Sequence, residues 1–139
     1  MRVVTRSDLD GLACAVLLKE VENIDEIQFV HPKDVQDGEI EINKNDILTN
    51  IPYDPRCGMW FDHHSSEVTR AKDIKDFKGA IEEAPSAARV IYNYYGGKEK
   101  LGKFDKILND VDAIDSANLK MEDVTKPKGW ILLGFILIF

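Results

Sequence analysis

Cysteine is scarce in this sequence. The 139 residues hold two, Cys14 in an apolar helical stretch and Cys57 in a turn. They form no CxxC pair, and no charged-then-apolar signal peptide opens the chain, so a reducing cytoplasmic setting is expected. Positive charge is short as well. Eighteen basic side chains face 25 acidic ones, for a formal charge of −7. That balance opposes a broad electrostatic grip on long duplex nucleic acid, and an anionic substrate would need a local cation such as a metal ion. Internal repeats and low-complexity segments are lacking.

Long apolar runs are also missing. The most apolar stretch, WILLGFILIF from Trp130 to Phe139, is about half the ~20 residues that span a bilayer. It is expected to be a buried segment rather than a membrane anchor. A run that ends without a polar cap also fits burial against a second copy in a homodimer, or a chain that stops before a further domain.

What is present is an ordinary globular composition, 44% hydrophobic, in a length that suits one domain with a modest core. RVVT, EIQFVHP, DILTNIP and GMWF read as short strands. Helical spacing of apolar residues runs through Leu12, Ala15, Val16 and Leu18, again from about Pro85 to Tyr95, and again from about Lys100 to Ile114. Gly96 and Gly97 stop the second of these. The polar SSEVTRAKDIKDFKG, Ser65 to Gly79, lacks a sustained apolar face and is expected to be a long mobile loop. Strands alternating with helices predict an α/β domain on a mainly parallel sheet flanked by helices, with ligands outside the carboxyl ends of the strands.

Three acidic clusters follow those elements: SDLDG with Asp8 and Asp10, FDHH with Asp62, His63 and His64, and DVDAIDS with Asp110, Asp112 and Asp115. The first two have a plain reading. Asp8 suits a helix cap with Asp10 at the same dipole end, and the histidine pair suits a polar turn. Together they suit a divalent ion such as Mn²⁺, because carboxylates mix with imidazole and no cysteine joins them. Arg56, in the turn before the triplet, is a candidate for phosphate. So are Ser86 and Arg89, at a helix start whose free N–H groups favour anions. Ser86 as a cap and Arg89 on a solvated face are the alternatives. His31, far from the clusters in sequence, reads as a strand-end residue held by local hydrogen bonds.

SDLDGLACA, NIPYDPRCGMWFDHHSS and DAIDSANL together resemble the DHH phosphoesterase family, and within it the exopolyphosphatase-like members. The resemblance runs from residue 2 to about residue 130. It implies metal-dependent hydrolysis of phosphoesters or phosphoanhydrides, with polyphosphate, short oligonucleotides or nucleotides as the small or linear phosphate substrate. One or two Mn²⁺ or Mg²⁺ ions would activate water directly, at about 3.5–4 Å separation where both are bound. On this chain it implies Asp8 for the first ion, and Asp10, His63 and Asp115 for the second. His64 would orient substrate phosphate and Asp62 would support the ligands from behind. Asp112 rivals Asp115, which is favoured by the Ser116-Ala117 that follows it.

Two positions depart from the family pattern. Many members have a histidine in the first motif, where Arg6 and Val4 stand here, and an acid where Asn50 stands. The first ion then keeps Asp8 almost alone, and the expectation is one firm metal position with the Arg6 guanidinium filling part of the other's electrostatic role. A surface ion pair is the alternative for Arg6. The family's smaller C-terminal domain, with a glycine-rich, histidine-containing motif, has no counterpart, so residues 1–139 are expected to end before it. A degenerate domain that binds metal and phosphate or a nucleotide without turnover, as a sensor or interaction module, is the alternative function.

Overall fold

The computed structural model describes residues 1–137. Five strands, β1 (Arg2–Arg6), β2 (Glu26–Val30), β3 (Asp46–Thr49), β4 (Met59–Asp62) and β5 (Gly79–Ile81), form one sheet in the order β2-β1-β3-β4-β5. Every neighbouring pair is parallel. Parallel strands need long crossovers, and the helices that supply them cover both faces.

The period-2 alternation of a strand sorts side chains between the two faces. Val3, Ile47 and Phe61 point into one cluster with α1 (Leu9–Val21), α4 (Ala87–Tyr94) and α6 (Asp105–Asp115). Val4, Leu48 and Trp60 point into the other, against Val35 of the short α2 (Pro32–Gln36) and Ile74 beyond α3 (Ser65–Ala71). Trp60 is fully buried and its indole N–H donates to the carbonyl of Ile51 at 3.0 Å, which ties the loop after β3 to β4. A turn of α5 (Lys98–Leu101) and a 3₁₀ turn lead into α6, and α7 (Met121–Thr125) and α8 (Gly129–Ile136) follow.

Two expectations need correction here. The stretch from Ser65 to Gly79 is not one long loop: it holds α3 and the first residue of β5, an edge strand too short and too half-exposed to leave an alternating signature. The apolar C-terminal run is not buried throughout. In α8 Ile131 is 8% exposed, whereas Leu132 and Ile136 are 41% and 61% exposed, because only one side of the helix meets α6. Ile138 and Phe139, the end of that run, lie outside the described residues. Among the described residues no helix is long and apolar enough to cross a membrane.

Candidate metal and phosphate site

The three acidic stretches meet at the carboxyl edge of the sheet. Asp8 follows β1 and caps α1, its Oδ1 accepting from the Gly11 amide at 2.8 Å, so the capping role is real. Gly11 makes this turn feasible: a Cβ there would lie 1.8 Å from the Arg6 carbonyl oxygen. Beneath it the Thr49 hydroxyl donates to the Thr5 hydroxyl at 2.7 Å, and Thr5 donates to the Gly11 carbonyl at 3.2 Å. The first turn of α1 is therefore anchored to β1 and β3.

Asp10 is 2% exposed, in the first turn of α1, and its partners come from another helix. Its two oxygens accept from the amides of Ala87 and Ala88, each at 2.9 Å. These are free N–H groups of α4's first turn, where the helix dipole also favours a negative charge. Burial, and then the charge of Asp115, still push the Asp10 carboxyl up to about 7, against those two amides and His63.

His63 stands beside it. Its Nδ1 donates to the carbonyl oxygen of Ala84 at 2.9 Å, which sets the tautomer and turns Nε2 inward. Nε2 lies 2.9 Å from Asp115 Oδ2 and 3.6 Å from Asp10 Oδ2. It is buried and in line with no hydrogen-bond partner, so its closeness to Asp115 is an ion-pair distance without hydrogen-bond alignment. Burial alone would lower the imidazole, but Asp115, Asp10 and the Ala84 carbonyl outweigh it and raise it to about 9. An inward ring nitrogen between two carboxylates, with its other nitrogen on a carbonyl, is the arrangement in which histidine ligates a metal. Ligand atoms of Asp10, His63 and Asp115 all lie within 4.8 Å of one another, as do those of Asp62, His63 and His64. The residues fit a divalent ion.

Asp62, 1% exposed, organises the triplet from β4. Its Oδ1 accepts from the amides of His63 at 2.6 Å and His64 at 3.0 Å, and pairs with His64 Nδ1 at 2.5 Å. The bond to Asp62 raises the His64 imidazole against the effect of burial, so the cationic form is favoured. At 43% side-chain exposure His64 remains open to a ligand.

Asp112 and Asp115 take different roles. Both Asp112 oxygens are engaged: Ser86 Oγ donates to Oδ1 at 2.5 Å, and Arg89 donates to Oδ2 through Nε at 2.8 Å, with Nη2 at an ion-pair distance of 2.7 Å from the same oxygen and donating to Asn109 Oδ1 at 3.2 Å. Asp115, one turn later, is the acid that reaches His63. Arg89 thus points to α6, and α4's amides go to Asp10, so neither matches the phosphate role expected for them. Arg56 is farther still. The Gly58 amide donates to the Asp46 carbonyl at the amino end of β3, which places the Arg56 turn at the opposite edge of the sheet, where the side chain pairs with Asp54 at 2.7 Å. His31 caps α2 through Nδ1, accepting from the Lys33 amide at 3.1 Å.

At the expected first ion position Asp8 meets the chain's own donors. Arg6 Nε stands 3.4 Å from Oδ2, and Asn50 Nδ2 donates to Oδ1 at 3.3 Å. Asn50 adopts the left-handed region at φ 59°, a conformation asparagine tolerates well. The residues not anticipated from the sequence are the backbone partners, namely the Ala84 carbonyl and the Ala87 and Ala88 amides. The Pro85-Ser86 helix start announced those amides, but not which anion they serve.

No family model matches the chain, and no curated protein does. Among solved structures the chain is similar, in fold and in sequence, to a phosphodiesterase. That protein is the pGpG-specific phosphodiesterase PggH from Vibrio cholerae, at a TM-score of 0.85 and 45% identity over 98% of this chain and 44% of that one. This chain therefore spans less than half the length of the protein it matches. The likeness and the sheet together show an α/β fold of parallel strands flanked by helices.

Proposed function

We propose that this chain is a metal-dependent phosphohydrolase of the DHH phosphoesterase kind, cleaving the phosphodiester of a short linear dinucleotide such as pGpG. The observation that carries the reading is His63, fixed by the Ala84 carbonyl with Nε2 turned between Asp10 and Asp115. The similar protein's activity gives it the substrate class.

Asp10, His63 and Asp115 would hold the ion, Mn²⁺ or Mg²⁺. Such an ion lowers the pKa of bound water toward neutrality and neutralises phosphoryl oxygens. The chain's own residues do the rest. Asp62 holds His64 through Nδ1 in the crevice lining, and its carboxylate favours the protonated ring, which would meet phosphate and hand a proton to the leaving oxygen. The α4 amides keep Asp10 in place without a counter-cation. Arg6, 44% exposed along its side chain beside Asp8, supplies a fixed positive charge to the same face.

A second reading is a domain that binds without turnover. Both Asp8 oxygens are already engaged by Arg6 and Asn50, which leaves the first ion position without a free acid. The two part on Mn²⁺-dependent hydrolysis of bis(p-nitrophenyl) phosphate and of pGpG, in the wild type and in Asp10→Ala. Release lost in the variant is expected. No release from the wild type with either substrate would leave the binding reading.

A further inference from the structure

The chain passes from β1 to β2 on one side and returns to β3 on the other, so the loops after β1 and β3 diverge at the sheet's carboxyl edge. Doubly wound sheets bind ligands in the crevice that such a split leaves. Here it is a cavity of about 180 Å³, walled by Arg6, Pro32, Asn50, Ile51, Pro52 and Glu67, with Asp62, His64 and the exposed Ser66 completing the lining.

Two residues of that wall are left over from the metal cluster. Glu67 is a carboxylate only 6% exposed, and among the described residues its Oε2 accepts no hydrogen bond. The cation it faces, Arg70 Nη1, is 3.6 Å away. It belongs to neither group of side chains able to hold an ion. Asn50 is 2% exposed; its Nδ2 is spent on Asp8, and its Oδ1 has no partner among the described residues. Buried polar atoms are ordinarily hydrogen-bonded, so two unpartnered acceptors in one cavity wall point to a ligand that brings donors. Pro32 and Pro52, both half-buried, add apolar surface to the same lining, which suits the face of a flat ring.

We propose that this crevice is a guanine pocket, in which Glu67 accepts from the base edge while Arg6 and His64 face the attached phosphate. Guanine presents N1–H and the exocyclic amine side by side, a donor pair that one carboxylate matches with both oxygens. Adenine would set the lone pair of N1 against the acid, cytosine would set a lone pair beside its amine, and uracil offers one N–H between two carbonyls. The volume suits a single base, with the adjoining phosphodiester extending toward Asp10, His63 and Asp115. The assignment deepens the phosphodiester reading and rests on it.

Calorimetric titration of the full chain with GMP and AMP tests the pocket without turnover. GMP is expected to bind at least about tenfold more tightly than AMP, the discrimination of one bidentate base contact. Glu67→Gln keeps the shape but turns a donor toward the base, and should bring GMP to the AMP level at unchanged melting temperature. Ser66→Trp, made at an exposed wall position, should obstruct the cavity and weaken GMP whether or not the glutamine variant folds. Equal wild-type affinity for GMP and AMP would overturn the proposal. So would a GMP preference that survives Glu67→Gln, or GMP binding untouched by Ser66→Trp. Hydrolysis of bis(p-nitrophenyl) phosphate and of pGpG reports on the phosphodiester reading separately: absence of both with the GMP preference intact removes that reading and leaves a guanine-binding crevice without turnover.

Discussion

Arg89 grips Asp112 through Nε and Nη2, at 2.8 and 2.7 Å from the same carboxylate oxygen, and Asp112 lies one helical turn before Asp115. Residues three apart share a helix face, so this contact sets the rotation of α6 that brings Asp115 to His63. α4 therefore orients two acids of the cluster, Asp10 through its amides and Asp115 through the Arg89 and Ser86 contacts with Asp112.

Removing that contact should loosen the metal position without touching a ligand. Arg89→Ala is expected to weaken Mn²⁺ binding about tenfold or more, the usual effect of deleting a partner that orients a ligand. Arg89→Lys should recover part of the loss, since lysine keeps the charge and not the fork. Calorimetry reads the affinity and a melting curve checks the fold. Mn²⁺ affinity equal to wild type in a folded Arg89→Ala chain would show that Asp115 is positioned by something else.

The buried pair sets a pH dependence whose sign is fixed. Asp10 rises from 3.8 to about 7, and His63 from 6.5 to about 9. In both windows the folded chain holds a proton that the unfolded chain has released, so metal-free stability falls as pH rises from about 4 to about 9. The share due to His63 is fully present below 6.5 and is lost through its folded value. With a chelator, the melting temperature is expected to drop by about 4 °C between pH 6 and 9. Mn²⁺ should shrink or reverse that drop, because it takes the deprotonated ligands. His63→Asn should flatten the chelated profile, and a wild-type profile already flat would contradict the assignment.

Much of this arrangement is legible in the amino-acid sequence. Four strands carry β-branched or aromatic residues, and the acidic stretches of Asp8 and Asp62 stand at strand ends, where a parallel sheet gathers its ligands, while Asp115 comes from the end of α6. β5 escapes such a reading because three half-exposed residues show no alternation; it exists through pairing with β4, where Gly79 lies close to Trp60. The phosphate role expected of Arg56 fails for a reason of topology: a connection between parallel neighbours must return to the amino edge, which carries its turn away from the site. Arg89 fails because its partner Asp112 comes from another helix 23 residues on, a pairing that local spacing does not express. Glu67 has the sequence context of a polar loop residue, and only the fold brings it into one cavity lining with Asn50, Ile51 and Pro52.

Metal stoichiometry follows from the count of free acids. Asp10, His63 and Asp115 converge, whereas Asp8 is shared by Gly11, Asn50 and Arg6. Calorimetric titration should therefore give one tight Mn²⁺ per chain. Arg6→His with Asn50→Asp, which removes the guanidinium and adds a carboxylate, should create a second. Two equally tight ions in the wild type would show that Arg6 swings away from Asp8 when metal is offered.

The turn after β1 places both first-motif acids, Asp8 and Asp10. Gly11 packs against the Arg6 carbonyl so closely that a Cβ would sit 1.8 Å from the oxygen and 2.9 Å from Thr5 Oγ1. Neither neighbour yields easily: Arg6 ends a paired strand, and Thr5 is fully buried in its bond with Thr49. Gly11→Ala should then cost about 3 kcal/mol or more by overpacking, in spite of alanine's better helix propensity. Where the variant still folds, α1 must shift away from β1 and carry Asp8 and Asp10 with it, so Mn²⁺ affinity should fall together with stability. Ser7→Ala, at an exposed position in the same loop, should change neither. Denaturant melts and Mn²⁺ titrations of the two variants decide it: a Gly11→Ala chain with wild-type stability and affinity would mean that the turn has room the close contact denies.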